Sequence, residues 1–257
     1  MGPYIYNKFI LLIIKIKKVV ITKNQIKYIR GLAQKKNRIK EQCFVVEGEK
    51  SVVELLKSSF QIIDFYATKQ WISANNYTKV NEVSAAELAR ISNLKSANSV
   101  LAVVRMMEEK QEKYKGITLV LDDVNDPGNL GTIIRMCDWF GIKQVICSEN
   151  TVDIYNPKVV QSTMGSLFRV NIMYTDLSKY LVKVTTPIYG AFMDGENIKT
   201  INSDENMHLV MGNEANGISE EVEKYISKKV AIKNIGGNTE SLNVAVATAI
   251  LLHKFCN

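Results

Sequence analysis

The sequence predicts an α/β protein in two parts: a small α/β domain, then a larger domain whose mostly parallel sheet carries helices on both faces. The 257 residues are 46% hydrophobic and 23% charged, as in globular chains with room for two modest domains. After residue 116, short apolar segments alternate with helical ones, a pattern typical of a parallel sheet covered on both sides. A polar, aperiodic stretch at 106–116 predicts a linker between domains at 22–105 and 117–257.

Residues 1–21 are predicted to be a separate N-terminal appendage. Their apolar run, 9–14, is far shorter than the roughly 20 residues that cross a bilayer, and Lys15, Lys17 and Lys18 interrupt it. No small-residue cleavage site follows, so a secretory signal is not indicated. We expect a peripheral strand or helix, no membrane anchor and a cytoplasmic location.

Helical and strand-like segments alternate through the first domain. Ile26, Ile29 and Leu32 follow a cap at Asn24 with helical spacing. A capping box formed by Ser84 and Glu87 predicts the start of a later helix. Strands are expected at 43–46, 62–67 and 100–104, and a further helix at 52–56.

Six short apolar segments predict the strands of the second domain. Strands of a parallel sheet are buried on both faces, so they are uniformly apolar rather than alternating. The final helix, at 242–255, is rich in Ala, Val, Ile and Leu and should be largely buried. The predicted strands are 117–121, 145–147, 170–173, 188–192, 209–211 and 230–232.

The positive charge is concentrated at the N-terminal end. The first fifty residues hold twelve Lys and Arg against three acids, a balance of 12 − 3 = +9, whereas the whole chain carries +7. Such a concentration favours a polyanionic partner, because neutralised phosphates release condensed counterions. A solvated basic surface that only maintains solubility is the alternative.

The residue inventory excludes several kinds of site. Cys43, Cys137, Cys147 and Cys256 form no CxxC pair, which excludes a zinc ribbon, and so few cysteines indicate reduced thiols. The two histidines are isolated and are predicted to be structural or at the surface. A P-loop, a GxGxxG turn and a GxSxG elbow are also missing from the sequence. We therefore expect no metal site, and chemistry by Arg, Glu, Asn, Ser and backbone groups.

Three polar loops follow predicted strands, at 122–135, 211–219 and 233–244. Ligands of open α/β sheets bind beyond the carboxyl ends of the strands, where glycine lets them approach the backbone closely. We expect the three loops to form a single pocket.

The three loops, in this order, resemble the motifs of the SpoU/TrmH-type RNA ribose 2′-O-methyltransferases of the SPOUT class. The first motif is matched in PGNLGTIIR by Asn129 and Arg135, and QSTMGSLF at 161–168 resembles the segment before a family strand. The second and third are matched by Gly212, Asn213 and Glu214 in LVMGNEANGIS, and by Ser241, Leu242 and Asn243 in ESLNVAVATAILL.

This resemblance implies S-adenosylmethionine-dependent methylation of a ribose 2′-hydroxyl in structured RNA. It also implies a deep trefoil knot in the second domain and a homodimer to whose interface the closing helix contributes. The implied catalytic residues are Asn129, Arg135, Glu214, Ser241 and Asn243. The implied cofactor-binding residues are Met211, Gly212, Ile232, Leu242 and Asn243.

Residues 22–105 resemble the small substrate-binding domain that many family members carry, through KNQIKYIRGLAQKKNR followed by CFVVEG. The implied RNA-binding side chains are Lys35, Lys36, Arg38 and Lys40. Because a whole accessory domain is present, rRNA is favoured over tRNA as substrate.

Each implied catalytic side chain has more than one interpretation. In related enzymes the residue that matches Arg135 is proposed as a general base, but arginine is normally always protonated. We expect Arg135 to orient the hydroxyl and neutralise the developing alkoxide, while phosphate or water shares the proton. Asn129 fixes Arg135 and the ribose, caps its helix, or does both. Glu214 positions the hydroxyl, anchors Arg135 or is an exposed loop carboxylate, and Ser241 contacts phosphate or caps the last helix.

One departure and two rival functions remain. Members usually have Ile-Pro after the last strand, whereas this chain has Ile232-Lys233 and a loop one residue longer before Ser241. Without proline the backbone there is less fixed, which affects cofactor affinity.

The two rival functions are base methylation and RNA binding without catalysis. The Ser-Leu-Asn motif argues against base methylation, and the intact motifs argue against RNA binding without catalysis.

Overall fold

The computed structural model describes residues 17–107, 114–202, 204–238 and 240–256. Most of the predicted appendage (1–16) and the middle of the predicted linker (108–113) lie outside these described residues. Among the residues described, no helix is long and apolar enough to span a membrane.

The N-terminal unit is a mixed sheet with helices. Its strands are β1 Lys17–Lys18, β2 Cys43–Glu47, β3 Ile62–Ala67, β4 Asn81–Glu82 and β5 Val100–Arg105. Its helices are α1 Lys23–Gly31, α2 Lys35–Glu41, α3 Glu49–Leu56, α4 Lys69–Asn75 and α5 Ala85–Ile91. The strand order is β1-β4-β3-β5-β2, in which β5 is antiparallel to both neighbours and the other pairs are parallel. The three strands predicted for this unit are confirmed to within one residue.

Helix α1 is capped differently from the prediction. Thr22, not Asn24, is the N-cap, and Thr22 and Gln25 form a capping box. Ser84 caps α5 as expected by accepting from the Glu87 N–H. The Glu87 carboxylate instead accepts from the Ile21 N–H at 2.6 Å, and this contact ties the chain before α1 to α5.

The C-terminal unit is a parallel sheet between two helical layers. Its strands are β6 Ile117–Leu121, β7 Gln144–Cys147, β8 Asn171–Tyr174, β9 Ile188–Asn197, β10 Met207–Met211 and β11 Lys228–Ala231. Its helices are α6 Pro127–Trp139, α7 Pro157–Thr163, α8 Leu177–Leu181, α9 Glu220–Glu223 and α10 Val244–Phe255. The strand order is β11-β9-β10-β6-β7-β8, and neighbouring strands are parallel throughout.

Alternate residues of the strands face opposite helical layers. In β6, Leu119 and Leu121 belong to the same apolar cluster as residues of α6, α7 and α10, whereas Val120 packs with residues of α8 and α9. Helices on both faces of the sheet are therefore confirmed. The last helix starts at Val244, two residues later than predicted, because Asn243 is its N-cap.

The two units share one apolar core. The rings of Phe44 and Tyr155 have centroids 4.4 Å apart, and those of Phe60 and Phe168 are 5.1 Å apart. All four belong to, or pack against, a cluster that extends through both sheets. The N-terminal unit therefore lies directly against α7 and the segment that follows it.

Candidate active site

Asn129 joins the three predicted loops. Its Nδ2 donates to Oε1 of Glu214 at 2.8 Å, and its Oδ1 accepts from Nδ2 of Asn243 at 3.0 Å. These residues come from the first turn of α6, the loop after β10 and the start of α10. Three side chains that are far apart in sequence therefore meet beyond the carboxyl ends of the strands.

The N-caps of α6 and α10 determine which hydrogen bonds the side-chain amides of Asn129 and Asn243 can make. Asp126 is the N-cap of α6 and Pro127 begins the helix, so the alternative in which Asn129 caps it is wrong. Asn129 is thereby free to bridge the loops. Asn243 caps α10 by accepting from the N–H groups of Ala245 and Val246, so Ser241 is not that cap. Since Asn243 uses its oxygen for the cap, its Nδ2 is available to Asn129.

A tight loop follows β10 and orients Glu214. A Cβ at Gly212 would lie 2.2 Å from the carbonyl carbon of Gly217, so only glycine fits there without moving the backbone. Nδ2 of Asn213 donates to the Asp123 carbonyl at 2.7 Å, and its side-chain Oδ1 accepts from the N–H groups of Ala215 and Asn216. Buried Asp122 accepts from the Ser219 N–H at 2.7 Å.

The sequence did not predict that the Asp122 carboxylate anchors this loop. Two acids directly after a uniformly apolar strand were the available signal, because a buried carboxylate must find donors.

Most of the predicted cofactor-binding residues line one cavity of about 770 Å³. This volume is within the range of small-molecule pockets, roughly 300–1,000 Å³. The predicted residues on its wall are Met211, Gly212, Glu214, Ile232, Ser241 and Leu242. Lys233, which replaces the usual proline, lies on the same wall.

The cavity combines apolar walls with open backbone. Met193 and Leu242 are 64% and 47% exposed and both lie on the cavity wall, so they offer apolar surface to a ligand. The described residues from Ile232 to Leu242 have no regular secondary structure, so no strand or helix hydrogen bonds occupy their peptide groups; the Asn234 side chain bonds to the Gly236 N–H and the Gly237 carbonyl. An apolar surface for a purine ring beside peptide donors and acceptors fits S-adenosylmethionine.

Arg135 does not line this cavity. It is exposed, and its Nη1 lies 3.1 Å from Sδ of Met164. Six residues of α-helix separate it from Asn129, which corresponds to a rise of about 9 Å and an angle of about 120° around the axis. Arg135 instead borders a cleft of about 610 Å³ between α3 and α6. Within one chain, the predicted arginine and the predicted cofactor cavity are therefore on different sides of α6.

The basic residues of α2 divide into two kinds. Lys35, Lys36 and Lys40 are exposed, as RNA contacts must be. The prediction for Arg38 is wrong, because its side chain is buried. Its Nε and Nη2 donate to Oδ2 of Asp153, and its Nη1 donates to two carbonyls of the α1–α2 turn. Arg38 thus connects the two units and has no surface to offer a phosphate.

A second basic surface lies on α1 and was not predicted as a site. Lys23, Lys27 and Arg30 are exposed and follow i, i+4, i+7 spacing, which places them on one face of the helix. That spacing was visible in the sequence.

The histidines are not part of this site. His208 lies in β10 between the hydroxyls of Tyr180 and Thr186, each 2.9 Å from a ring nitrogen, and burial lowers the pKa of His208 to about 4. Among the described residues, no group of three or more His, Cys, Asp or Glu side chains is arranged to hold a metal ion.

Comparison with known proteins identifies the family. The profile of the SpoU rRNA methylase family matches residues 116–253, more than half of the chain, and that of the MRM3-like substrate-binding domain matches 23–102. The chain belongs to the SpoU rRNA methylase family. Its members are RNA methyltransferases.

Relatives of this family match the chain over almost its whole length. The chain is 31% identical to the 23S rRNA (guanosine(2553)-2′-O)-methyltransferase of Bacillus subtilis over 92% of this chain and 98% of that protein. A TrmH-family structure from Porphyromonas gingivalis is 37% identical with a TM-score of 0.85, over 92% of this chain and 98% of that one. An AdoMet-bound rRNA methyltransferase from Sinorhizobium meliloti is 28% identical with a TM-score of 0.79, over 93% and 96% of the two chains.

Proposed function

We propose that this protein transfers the methyl group of S-adenosylmethionine to a ribose 2′-hydroxyl of ribosomal RNA. The observation that carries the proposal is the hydrogen-bonded group Asn129, Glu214 and Asn243 beside the cavity, formed by motifs of a family of rRNA methylases. The 23S rRNA methyltransferase relative supports ribosomal rather than transfer RNA.

Different residues in and beside the cavity bind the cofactor and position the substrate hydroxyl. S-adenosylmethionine, when bound, supplies an electrophilic methyl group. Leu242 and Ile232 provide apolar contact, and the backbone around Gly212 provides polar contact. Asn129 holds Glu214 and Asn243 together. The proposed role of the Glu214 carboxylate held in this way is to position the substrate hydroxyl.

Arg135 is proposed to act on the nucleophile. Methyl transfer to a hydroxyl is an in-line displacement that requires alignment of the oxygen and stabilisation of the charge that develops on it. A guanidinium supplies both through directed N–H donors. The proton passes to an RNA phosphate or water, and Ser241 at the cavity edge contacts substrate phosphate.

A homodimer is part of the proposal. Trp139, Val246 and Ile250 are large apolar residues that are 85%, 49% and 36% exposed on the packed helices α6 and α10. Such a surface favours burial against a second copy. Since Arg135 and the cavity lie on different sides of α6, a second copy is also what would bring one chain's arginine to the other chain's cavity.

Two further features follow from the family. We propose that the family's trefoil knot is present in the C-terminal unit, and that the protein acts in the cytoplasm, where ribosomal RNA is found. Lys35, Lys36 and Lys40, together with the α1 surface Lys23, Lys27 and Arg30, are the proposed RNA contacts; that list includes only exposed side chains.

Nucleoside analysis after methyl transfer tests the function. The protein is incubated with isotopically labelled S-adenosylmethionine and either rRNA or tRNA that lacks the modification, and the RNA is digested to nucleosides for mass spectrometry. A 2′-O-methyl nucleoside from rRNA is expected. Label on a base indicates the rival SPOUT activity, and label only in tRNA changes the substrate. RNA binding with no cofactor binding in calorimetry indicates an RNA-binding protein without catalysis.

A further inference from the structure

A short turn connects α7 to the helical segment that carries Phe168 and lies beside Arg135. Met164 and Gly165 have φ of 49° and 95°, so both adopt left-handed conformations as the chain reverses. Met164 places its sulfur 3.1 Å from the Arg135 guanidinium. We call residues 164–169 the Met164 turn.

The Met164 turn is fastened to α6 close to Arg135. Arg169 donates to the carboxylate of Asp138 through Nε and Nη2, at 2.7–3.1 Å, and buried Ser166 donates to the same carboxylate at 2.9 Å. Asp138 is one helical turn from Arg135. Burial raises the pKa of Asp138, but the bonds from Arg169 and Ser166 outweigh this and keep the pKa below its usual value.

The same turn is held from the other side by the N-terminal unit. Nη1 of Arg169 donates to Oε2 of Glu54 in α3. A Cβ at Gly165 would lie 2.6 Å from Cβ of Glu54, so the backbone of the turn packs directly on that side chain. Glu54 thus makes both a charged contact and a steric contact with the Met164 turn.

We propose that Glu54 is a positioning residue for Arg135 and acts through the Met164 turn. The role rests on the proposed function, since it concerns the arginine assigned to methyl transfer. A thioether is a weak acceptor, so the bond that Nη1 of Arg135 donates to Sδ of Met164 restricts where the guanidinium lies and leaves its remaining N–H groups for the substrate. The position of Met164 depends on the backbone of the turn, which Glu54 and Asp138 hold from opposite sides. Docking of the substrate domain is thereby coupled to the geometry of the catalytic side chain.

Glu54→Gln tests this coupling, with Lys57→Gln as the matched control. The glutamine keeps the size of Glu54 but removes the charge that faces Arg169. Lys57 is the other ionic partner of Glu54, at 2.8 Å, so its variant disturbs the same carboxylate without touching the turn. Three quantities are measured in the full-length protein: amide hydrogen exchange over 164–169, the single-turnover rate of methyl transfer, and the dissociation constant for RNA.

For Glu54→Gln we expect faster exchange over 164–169 and a single-turnover rate lower by about 3- to 10-fold, with an unchanged RNA dissociation constant. Glu54→Asp, which restores the charge, should recover part of the rate. Lys57→Gln should match the wild type in all three quantities. Equal behaviour of Glu54→Gln and Lys57→Gln overturns the coupling, as does a rate loss fully explained by weaker RNA binding. A wild-type protein that binds cofactor and RNA but transfers no methyl group overturns the proposed function itself.

Discussion

Arg38→Met is expected to lower stability while leaving RNA affinity nearly unchanged. The Arg38 side chain is 2% exposed and that of Asp153 is 15% exposed. The guanidinium makes two hydrogen bonds to Oδ2 of Asp153 and one each to the carbonyls of Leu32 and Ala33. Methionine fills a similar volume but donates nothing, so the partly buried carboxylate of Asp153 loses two bonds and the carbonyls of Leu32 and Ala33 lose one each.

The magnitude follows from the burial of the pair. Breaking a buried ion pair by removing one partner costs about 3–5 kcal/mol, because the remaining charge is left uncompensated. Asp153 keeps a bond from the Tyr155 N–H and some contact with solvent, so the lower end, about 3 kcal/mol, applies. In a chain of this size that loss corresponds to a Tm lower by about 6–12 °C.

Thermal unfolding and RNA binding, measured on the same preparations, check the prediction. Lys36→Met is the matched control, since it removes an exposed charge from the same helix; its Tm should stay near the wild-type value while RNA affinity falls. Asp153→Asn added to Arg38→Met should recover part of the stability, because the uncompensated charge is gone. An Arg38→Met protein with wild-type Tm and weakened RNA binding would refute the assignment of Arg38 to the interior.

Three further predictions concern pH, the helix cap and assembly. Burial lowers the pKa of His208 to about 4, whereas an unfolded histidine has a pKa of about 6.5. Between these two pH values the unfolded chain binds a proton that the folded chain does not. The free energy of unfolding therefore falls as pH drops from about 6.5 to 4, by at most about 3 kcal/mol. His208→Gln should abolish that part of the acid sensitivity in denaturant titrations, whereas His253→Gln should retain it. Asn243→Ala loses the α10 cap and the bond to Asn129. The free energy of unfolding should fall by about 1–2 kcal/mol, and calorimetry should show weaker cofactor binding. An unchanged free energy of unfolding would contradict the role of Asn243 as the cap. Ile250→Glu places a charge on the exposed apolar surface of α10 and should yield monomers in analytical ultracentrifugation, and a persistent dimer would remove this surface from the interface.

The strands could be predicted where burial makes the sequence uniformly apolar. β6 was predicted with its observed bounds, and β7, β8, β10 and β11 within two residues. β1 and β4 were not predicted, because a strand of two residues is too short to show a hydrophobic pattern. β9 continues past residue 192 to Asn197, because a polar stretch pairs with β11 across an irregularity in register, and polar sequence carries no strand signal.

The misassignment of Arg38 has a physical cause. A count of positive charge treats every Lys and Arg as exposed, yet guanidinium is the cation best suited to buried pairs because it is planar, weakly hydrated and able to satisfy several acceptors. Arg38 is the arginine within KKNRIK, and that difference in residue type was the available hint. Its partner, Asp153, is 115 residues away in the sequence, so no local sequence pattern could have predicted the pair.

The position of Arg135 decides how the site must work. The motif resemblance predicts that Asn129 and Arg135 serve one function, but helical geometry places them about 120° apart on α6, and Arg135 borders the cleft beside α3 rather than the predicted cofactor cavity. If the proposed homodimer supplies the arginine to the other chain's cavity, then Ile250→Glu separates two properties. The monomer should keep cofactor binding, because the cavity lies within one chain, and lose methyl transfer. A monomer that still methylates RNA at the wild-type rate would refute the supply of Arg135 to the other chain's cavity and would mean that Arg135 acts within its own chain.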